Sequence, residues 1–235
     1  MAKDDSKLPS PATDAAVAAF LAEVARTPAP APSEGRGRLI FAVDATASRQ
    51  PTWDMASQIQ AEMFTATEAL GGLDVQLLFY RGFNECKASA WVSSPSALVR
   101  HMTAVECLSG HTQIAKVLRH ALAETAKKRV NAVVFVGDCM EESADELCGL
   151  AGKLALLSVP LFIFHEGGEP AAARTFRELA RLTRGAYCPF DAGSARQLRE
   201  LLGAVAVYAA GGRRALADYG RGKVGAVLQL TRQMQ

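Results

Sequence analysis

Asp44, Thr46 and Ser48 alternate over five residues directly behind the apolar run Leu39-Ile40-Phe41-Ala42-Val43, so one short loop carries a carboxylate and two hydroxyls. That donor set suits a hard cation. Mg²⁺ takes oxygen ligands in near-octahedral geometry and keeps several waters, so it needs few protein groups and no His or Cys cluster. Two more oxygen-bearing residues stand at comparable places. Thr112 closes Ser109-Gly110-His111-Thr112 just ahead of a helical pattern, and the apolar run from Asn131 to Gly137 ends on Asp138.

The elements that must position these residues alternate along the chain. Strands are expected over 39–43, Val75 to Tyr80, Ala132 to Val136, Leu161 to Phe164 and Ala186 to Pro189, with a short edge strand at Ser89 to Val92. Helices are expected from Pro51 to about Leu70, where Gly71-Gly72 closes the pattern, and over Pro95 to Met102, Thr112 to Lys128, Ser143 to Leu157, Ala171 to Thr183 and Ser194 to Ala209. This order predicts an α/β fold: a doubly wound, mostly parallel sheet covered on both faces, with one short antiparallel edge strand. With the common order 3-2-1-4-5-6, the switch point falls between the first and fourth strands. Asp44 and Asp138, 94 positions apart in sequence, then meet at one crevice.

With these residues in place, the chain resembles the von Willebrand factor A (VWA) family over about residues 38 to 208. The metal-ion-dependent adhesion site of that family has a D-x-S/T-x-S loop after the first strand, a Thr opening a later helix and an Asp ending the fourth strand. Asp44, Thr46, Ser48, Thr112 and Asp138 match those five positions in order. Thr46 stands where Ser is commoner and keeps the hydroxyl; His111 lies inside the G-x-T turn, where it bears on access. The resemblance implies a Rossmann-like fold and a bound Mg²⁺, with Mn²⁺ or Ca²⁺ as substitutes. It implies hydroxyl ligation by Thr46, Ser48 and Thr112, with Asp44 and Asp138 holding coordinating waters. An open coordination place would capture an Asp or Glu of a protein partner, and no catalysis is expected.

The same loop is also similar to that of haloacid-dehalogenase-like phosphotransferases, in which Asp44 would be a nucleophile beside Mg²⁺. Against that stand Thr46, where most such hydrolases carry a carboxylate, and the placement of Lys116 and Lys127 inside a helix. No Ser/His/Asp elbow, P-loop or G-x-G-x-x-G occurs.

Composition agrees with one α/β body. The chain has 235 residues, 49% of them hydrophobic, enough for one substantial core. The expected organisation is an N-terminal helix from Asp14 through Arg26 and a Pro/Ala linker over 1–37, the VWA-like domain over 38–210, and an extension over 211–235 whose last apolar stretch, Val224 to Leu230, fits a strand, a helix or a partner-binding segment equally. Lys and Arg number 26 against 24 Asp and Glu, too balanced for nucleic acid to be the main partner. The balance is uneven, because residues 171–235 carry +7 and the remainder −5. Arg174, Arg177, Arg181 and Arg184 share helical spacing, the pattern of a solvated face or, alternatively, of basic C-terminal helices through which a structural subunit docks. Cys86, Cys107, Cys139, Cys148 and Cys188 show no metal or disulfide spacing, and no export signal or membrane span is evident, so a reducing, cytoplasmic setting is expected.

Residues near the loops have two readings each. Glu141 and Glu142 either add negative potential to the site or form the acidic first turn of the next helix. His111 and His165-Glu166 fall at predicted strand ends, and Tyr80-Arg81-Gly82-Phe83 either anchors a partner on the rim or closes the core.

Overall fold

A computed structural model describes residues 36–190 and 195–233, together with 18–19 and 22–23, which are helical. The remainder of the expected N-terminal helix and its linker lies outside the described residues. Strands β1 (Gly37–Asp44), β2 (Leu73–Arg81), β3 (Glu85–Ala88), β4 (Ala132–Gly137), β5 (Leu161–Glu166) and β6 (Ala186–Phe190) form one sheet in the order β3-β2-β1-β4-β5-β6. All neighbours are parallel except β2 and β3. The mixed α/β sheet with its single antiparallel edge is therefore as the apolar periodicity predicts.

Side chains alternate across this sheet with period two. Leu39, Phe41, Val43, Val134, Phe162 and Phe164 face one layer, formed by α1 (Gln50–Ile59), α2 (Ala61–Thr65), α3 (Pro95–Thr103) and α7 (Ala195–Gln233). Ile40, Ala42, Val133, Phe135 and Ile163 face the other, formed by α4 (Ile114–Lys127), α5 (Ala144–Leu156) and α6 (Pro170–Leu182). Burial on both faces explains why the central strands read as unbroken apolar runs. Helix starts follow local chemistry: the Ser94 hydroxyl accepts from Ala97 N ahead of Pro95, and the Glu169 carboxylate accepts from Ala171 N and Ala172 N ahead of Pro170.

Three expectations need correction. The antiparallel edge strand is Glu85–Ala88, not Ser89 to Val92. Gly82, at φ +58°, turns the chain at once, and Arg81 pairs with Glu85 across the turn. The Ser89 hydroxyl then accepts from Leu77 N and ends the regular ladder, leaving only the bridge from Val75 to Val92. The helix expected from Pro51 to Leu70 is divided into α1, α2 and a 3₁₀ turn at Glu68–Leu70. Buried Thr67 donates its hydroxyl back to Met63 O and Phe64 O, a local bond that competes with helix continuation. Finally, α7 runs on to Gln233 with a break at Gly212 (φ 68°, ψ −164°). Beyond the break Ala215, Leu216 and Tyr219 pack on the same core, so the segment assigned to the extension begins in contact with the body.

Candidate metal centre

The strand register brings the two key loops level. Val43 pairs with Val136, so Asp44 at the end of β1 lies beside Gly137, the residue before Asp138. The first loop turns tightly: Asp44 Oδ1 accepts from Thr46 N at 2.7 Å, and Arg49 N bonds Thr46 O at 2.9 Å through the 3₁₀ turn Ala47–Arg49. Thr46 Oγ1 lies 3.4 Å from Ser48 Oγ, and Ser48 donates to Asp138 Oδ2 at 3.2 Å. Asp44, Thr46, Ser48 and Asp138 are thus one cluster. Thr112 lines the same cleft of about 220 Å³, with Thr46, Ser48, Ser109, Gly110, Cys139 and Glu141.

Thr112 stands in the loop ahead of α4 rather than inside the helix. Its hydroxyl donates to Glu142 Oε2 at 2.6 Å and accepts from Glu141 N at 3.0 Å, which leaves one lone pair unused. Glu142 Oε1 also accepts from Ala115 N, and Glu141 Oε2 from Thr112 N. The acidic pair therefore does not form the first turn of α5. It caps the start of α4, a different helix, and holds Thr112 in place.

The electrostatics are uneven. Asp44 is fully buried, and burial raises its carboxyl pKa to about 6, partly opposed by the Thr46 hydrogen bonds and reinforced by the charge of Asp138. Asp138 moves the other way: burial alone would raise it, but the Arg49 guanidinium and hydrogen bonds from Cys139, Arg49 and Ser48 hold it below the usual value. Asp44 Oδ2 and Asp138 Oδ1 are both buried without a well-formed hydrogen bond. Orphaned carboxylate oxygens are costly unless a cation satisfies them, so the donor set fits a hard divalent ion. Among the described residues no group of three or more His, Cys, Asp or Glu is arranged to hold a metal, which leaves hydroxyls as the complementing ligands. Cys139 lines the cleft, but burial and the neighbouring Asp138 push its thiol up to about 12, so it is no nucleophile at neutral pH.

One residue at the site, Arg49, escaped sequence reasoning, and another, His165, stands elsewhere than expected. Arg49, one position past the hydroxyl loop, is buried; its Nη1 lies 3.1 Å from Asp138 Oδ2, and its Nη2 pairs with Glu166 and donates to Thr52 Oγ1 at 2.6 Å. His165 is not on a loop but inside β5, with no exposed surface. Its Nδ1 bonds the Tyr187 hydroxyl at 2.8 Å and its Nε2 bonds Asp138 O at 2.9 Å, while its ring packs edge-on against Phe176. It fixes the backbone that presents Asp138. Of the expected rim residues, Tyr80 is fully buried and Phe83 is 77% exposed, its ring 5.2 Å from His111. His111 Nδ1 in turn bonds Glu141 at 2.9 Å.

Burial lowers the His165 pKa, so the folded state resists a proton that the unfolded chain takes up near pH 6.5. Stability from this group is complete above about pH 6.5 and declines as pH falls below it. Asp44, raised in the fold, has the opposite slope. The expected signature is therefore a difference: between pH 7.5 and 5.5 the thermal midpoint of wild type should fall more, or rise less, than that of His165→Gln, as calorimetry at several pH values would show.

No protein family model matches the chain, and no curated protein is detectably similar in sequence. Solved structures are similar in shape. The VWA domain of SpRpn10 superposes with a TM-score of 0.55 at 14% identity, over 71% of this chain and 94% of that one. The fold is that of a VWA domain. Proximal thread matrix protein 1 from the mussel byssus (TM-score 0.56, 13% identity, 73% of this chain) and the pilus adhesin SpaC from Lactobacillus rhamnosus GG in its open conformation (0.55, 10%, 76%) are also similar in shape. This chain spans 46% and 30% of those two longer chains. In the VWA frame the cleft lies at the carboxyl ends of β1 and β4, the switch point of the sheet.

Proposed function

We propose that this VWA domain is a metal-dependent protein-binding module. Asp44, Thr46, Ser48, Thr112 and Asp138 would hold Mg²⁺, or Mn²⁺ or Ca²⁺ in its place, directly or through water. The ion, when bound, supplies a Lewis-acidic position that accepts a carboxylate from an Asp or Glu of a partner. The observation that carries this reading is the pair of buried, unsatisfied oxygens, Asp44 Oδ2 and Asp138 Oδ1, beside a cleft lined by Thr46, Ser48 and Thr112. The residues of the chain do the rest: Glu142 orients Thr112, His165 holds the Asp138 carbonyl, and Arg49 neutralises part of the local negative charge.

No enzymatic step is part of this reading. Phosphotransfer would need a cation free to meet a phosphate, and Lys116 is tied to Asn84 and Gln113 on the outer side of α4. Docking through the basic helices has less support: of that arginine row, Arg177 lies over the Tyr187 ring at 4.7 Å and Arg181 pairs with Glu178 at 2.6 Å. Among the described residues no helix is long and apolar enough to cross a membrane.

The test is affinity capture from a lysate of the source cells on the immobilised protein, in Mg²⁺ and in EDTA, with Thr112→Ala in parallel. A partner held by wild type only in Mg²⁺ supports the reading; partners indifferent to EDTA and to Thr112→Ala overturn it. Phe83 is exposed beside His111, which bonds Glu141 of the cleft, and there an aromatic side chain adds contact area outside the donor cluster. Phe83→Ser is accordingly expected to weaken capture of such a partner about tenfold, with Mg²⁺ affinity by calorimetry unchanged.

A further inference from the structure

The Arg49 side chain is a buried cation built into the loop that carries three of the five oxygen donors. Its backbone is fixed by its own amide, which closes the 3₁₀ turn onto Thr46 O, and its side chain is held by burial. Its guanidinium is shared between two carboxylates. Nη1 reaches Asp138 Oδ2, which also accepts from Ser48, while Nη2 is held by Glu166 and Thr52, and the Thr52 hydroxyl itself donates to Glu166. Asp138 Oδ2 is thus committed to Arg49 and Ser48, while Oδ1 is buried near the Cys139 thiol without a well-formed hydrogen bond. Glu166 and Thr52 lie on the far side of that partition and draw the guanidinium toward β5 and α1.

We propose that Arg49 is a resident counter-cation that sets the divalent-ion affinity of the Asp44/Asp138 position, with Glu166 as the acceptor that holds it off the metal. This rests on the metal reading above and adds to it the residue that tunes occupancy. A positive charge fixed within hydrogen-bond distance of Asp138 opposes a divalent ion shared with the same carboxylate, and screening inside the cleft is weaker than in water. The arrangement makes the two sides of one ion pair act in opposite directions. Removing Arg49 frees Asp138 for the metal, whereas removing the Glu166 charge leaves Asp138 as the guanidinium's remaining carboxylate and binds it there more firmly. A plain structural brace predicts a different pattern, since breaking the pair from either side would loosen the loop and weaken metal binding alike.

The experiment is calorimetric titration of MgCl₂, and separately MnCl₂, into wild type, Arg49→Gln, Arg49→Lys and Glu166→Gln at pH 7.5 and constant ionic strength, with thermal transitions recorded for each. Arg49→Gln is expected to bind at least about tenfold more tightly than wild type, Glu166→Gln more weakly, and Arg49→Lys, which restores the charge, close to wild type. Where Arg49→Gln lacks a cooperative transition, the double substitution Arg49→Gln/Glu166→Gln, which removes both partners, takes its place with the same expected tightening. Equal or weaker binding by Arg49→Gln, with wild type binding normally, overturns the role of Arg49 and leaves the metal reading standing. Binding seen only after Arg49 is replaced supports the proposal in its strongest form, the guanidinium excluding the ion. Absence of binding by every protein overturns the proposal and the metal reading together.

Discussion

Asp44→Asn is expected to abolish the stabilisation of the protein by Mg²⁺ while leaving its thermal midpoint in EDTA unchanged or higher. In the metal-free fold Asp44 is a fully buried carboxylate that Asp138 repels, and Oδ2 has only the neighbouring Tyr80 hydroxyl beside it, without a well-formed hydrogen bond. Such a group costs stability rather than adding to it. Asn keeps the acceptor for Thr46 N, removes the repulsion and keeps a hydrogen-bonding amide beside the buried Tyr80 hydroxyl, which already neighbours the carboxylate. An ion bound only by the folded state stabilises it by about 2.7 kcal/mol at a hundred times its dissociation constant. Wild type should show a gain of that order in calorimetry with excess MgCl₂ over EDTA, and Asp44→Asn essentially none. Loss of a cooperative transition by the variant in EDTA would mean instead that the carboxylate braces the loop.

Gly110→Ala should damage both stability and metal response, by a route that involves no ligand atom. A Cβ at Gly110 would sit 2.0 Å from Gly82 O, a backbone atom of the β2–β3 turn that also accepts from His111 N at 3.1 Å. Neither side of that contact is a flexible side chain, so the loops must part, and Thr112 moves with them. Overpacking of this kind costs about 1–3 kcal/mol. Gly149→Ala is the matched control: it lies within α5 with nothing within 4 Å of an added Cβ, and should raise stability by about 0.4–1 kcal/mol. Denaturant midpoints of the two variants, with and without Mg²⁺, check both signs. A Gly110→Ala protein as stable and as metal-responsive as wild type would show that the loops tolerate separation.

Much of this architecture was legible because its signals are local and periodic. Unbroken apolar runs marked the doubly covered strands, and their alternation with helices sufficed to place Asp44 and Asp138 on adjacent strand ends. What escaped depends on partners distant in sequence. Arg49 drew no reading from the sequence, since its partners are remote: Glu166 lies on β5 and Asp138 beyond β4. Glu141 and Glu142 precede α5, so the sequence left them between added site potential and the acidic first turn of that helix, whereas the fold sets them against the amides that open α4. His165 was read as a loop residue because the strand was expected to stop at Phe164; it continues to Glu166, and the imidazole pairs inward with Tyr187 and Asp138. The edge strand slipped by four residues because the positive-φ turn at Gly82 is tighter than the β-propensity of the following segment suggests.

The helix that covers β1, β2 and β4 on one face is also the last of the described elements. Leu201, Leu202, Val205 and Tyr208 seal the layer above Leu39, Phe41, Val134 and Phe162, and a Cβ at Gly37 would meet Ala209 O at 2.5 Å, so the start of the first strand closes against the end of this segment. During synthesis at roughly 5–20 residues per second, that face waits on the order of ten to thirty seconds between the emergence of β1 and the arrival of its cover. A nascent chain stalled before α7 therefore displays a broad aliphatic and aromatic surface to chaperones, and its commitment to the native state is postponed until that helix has emerged.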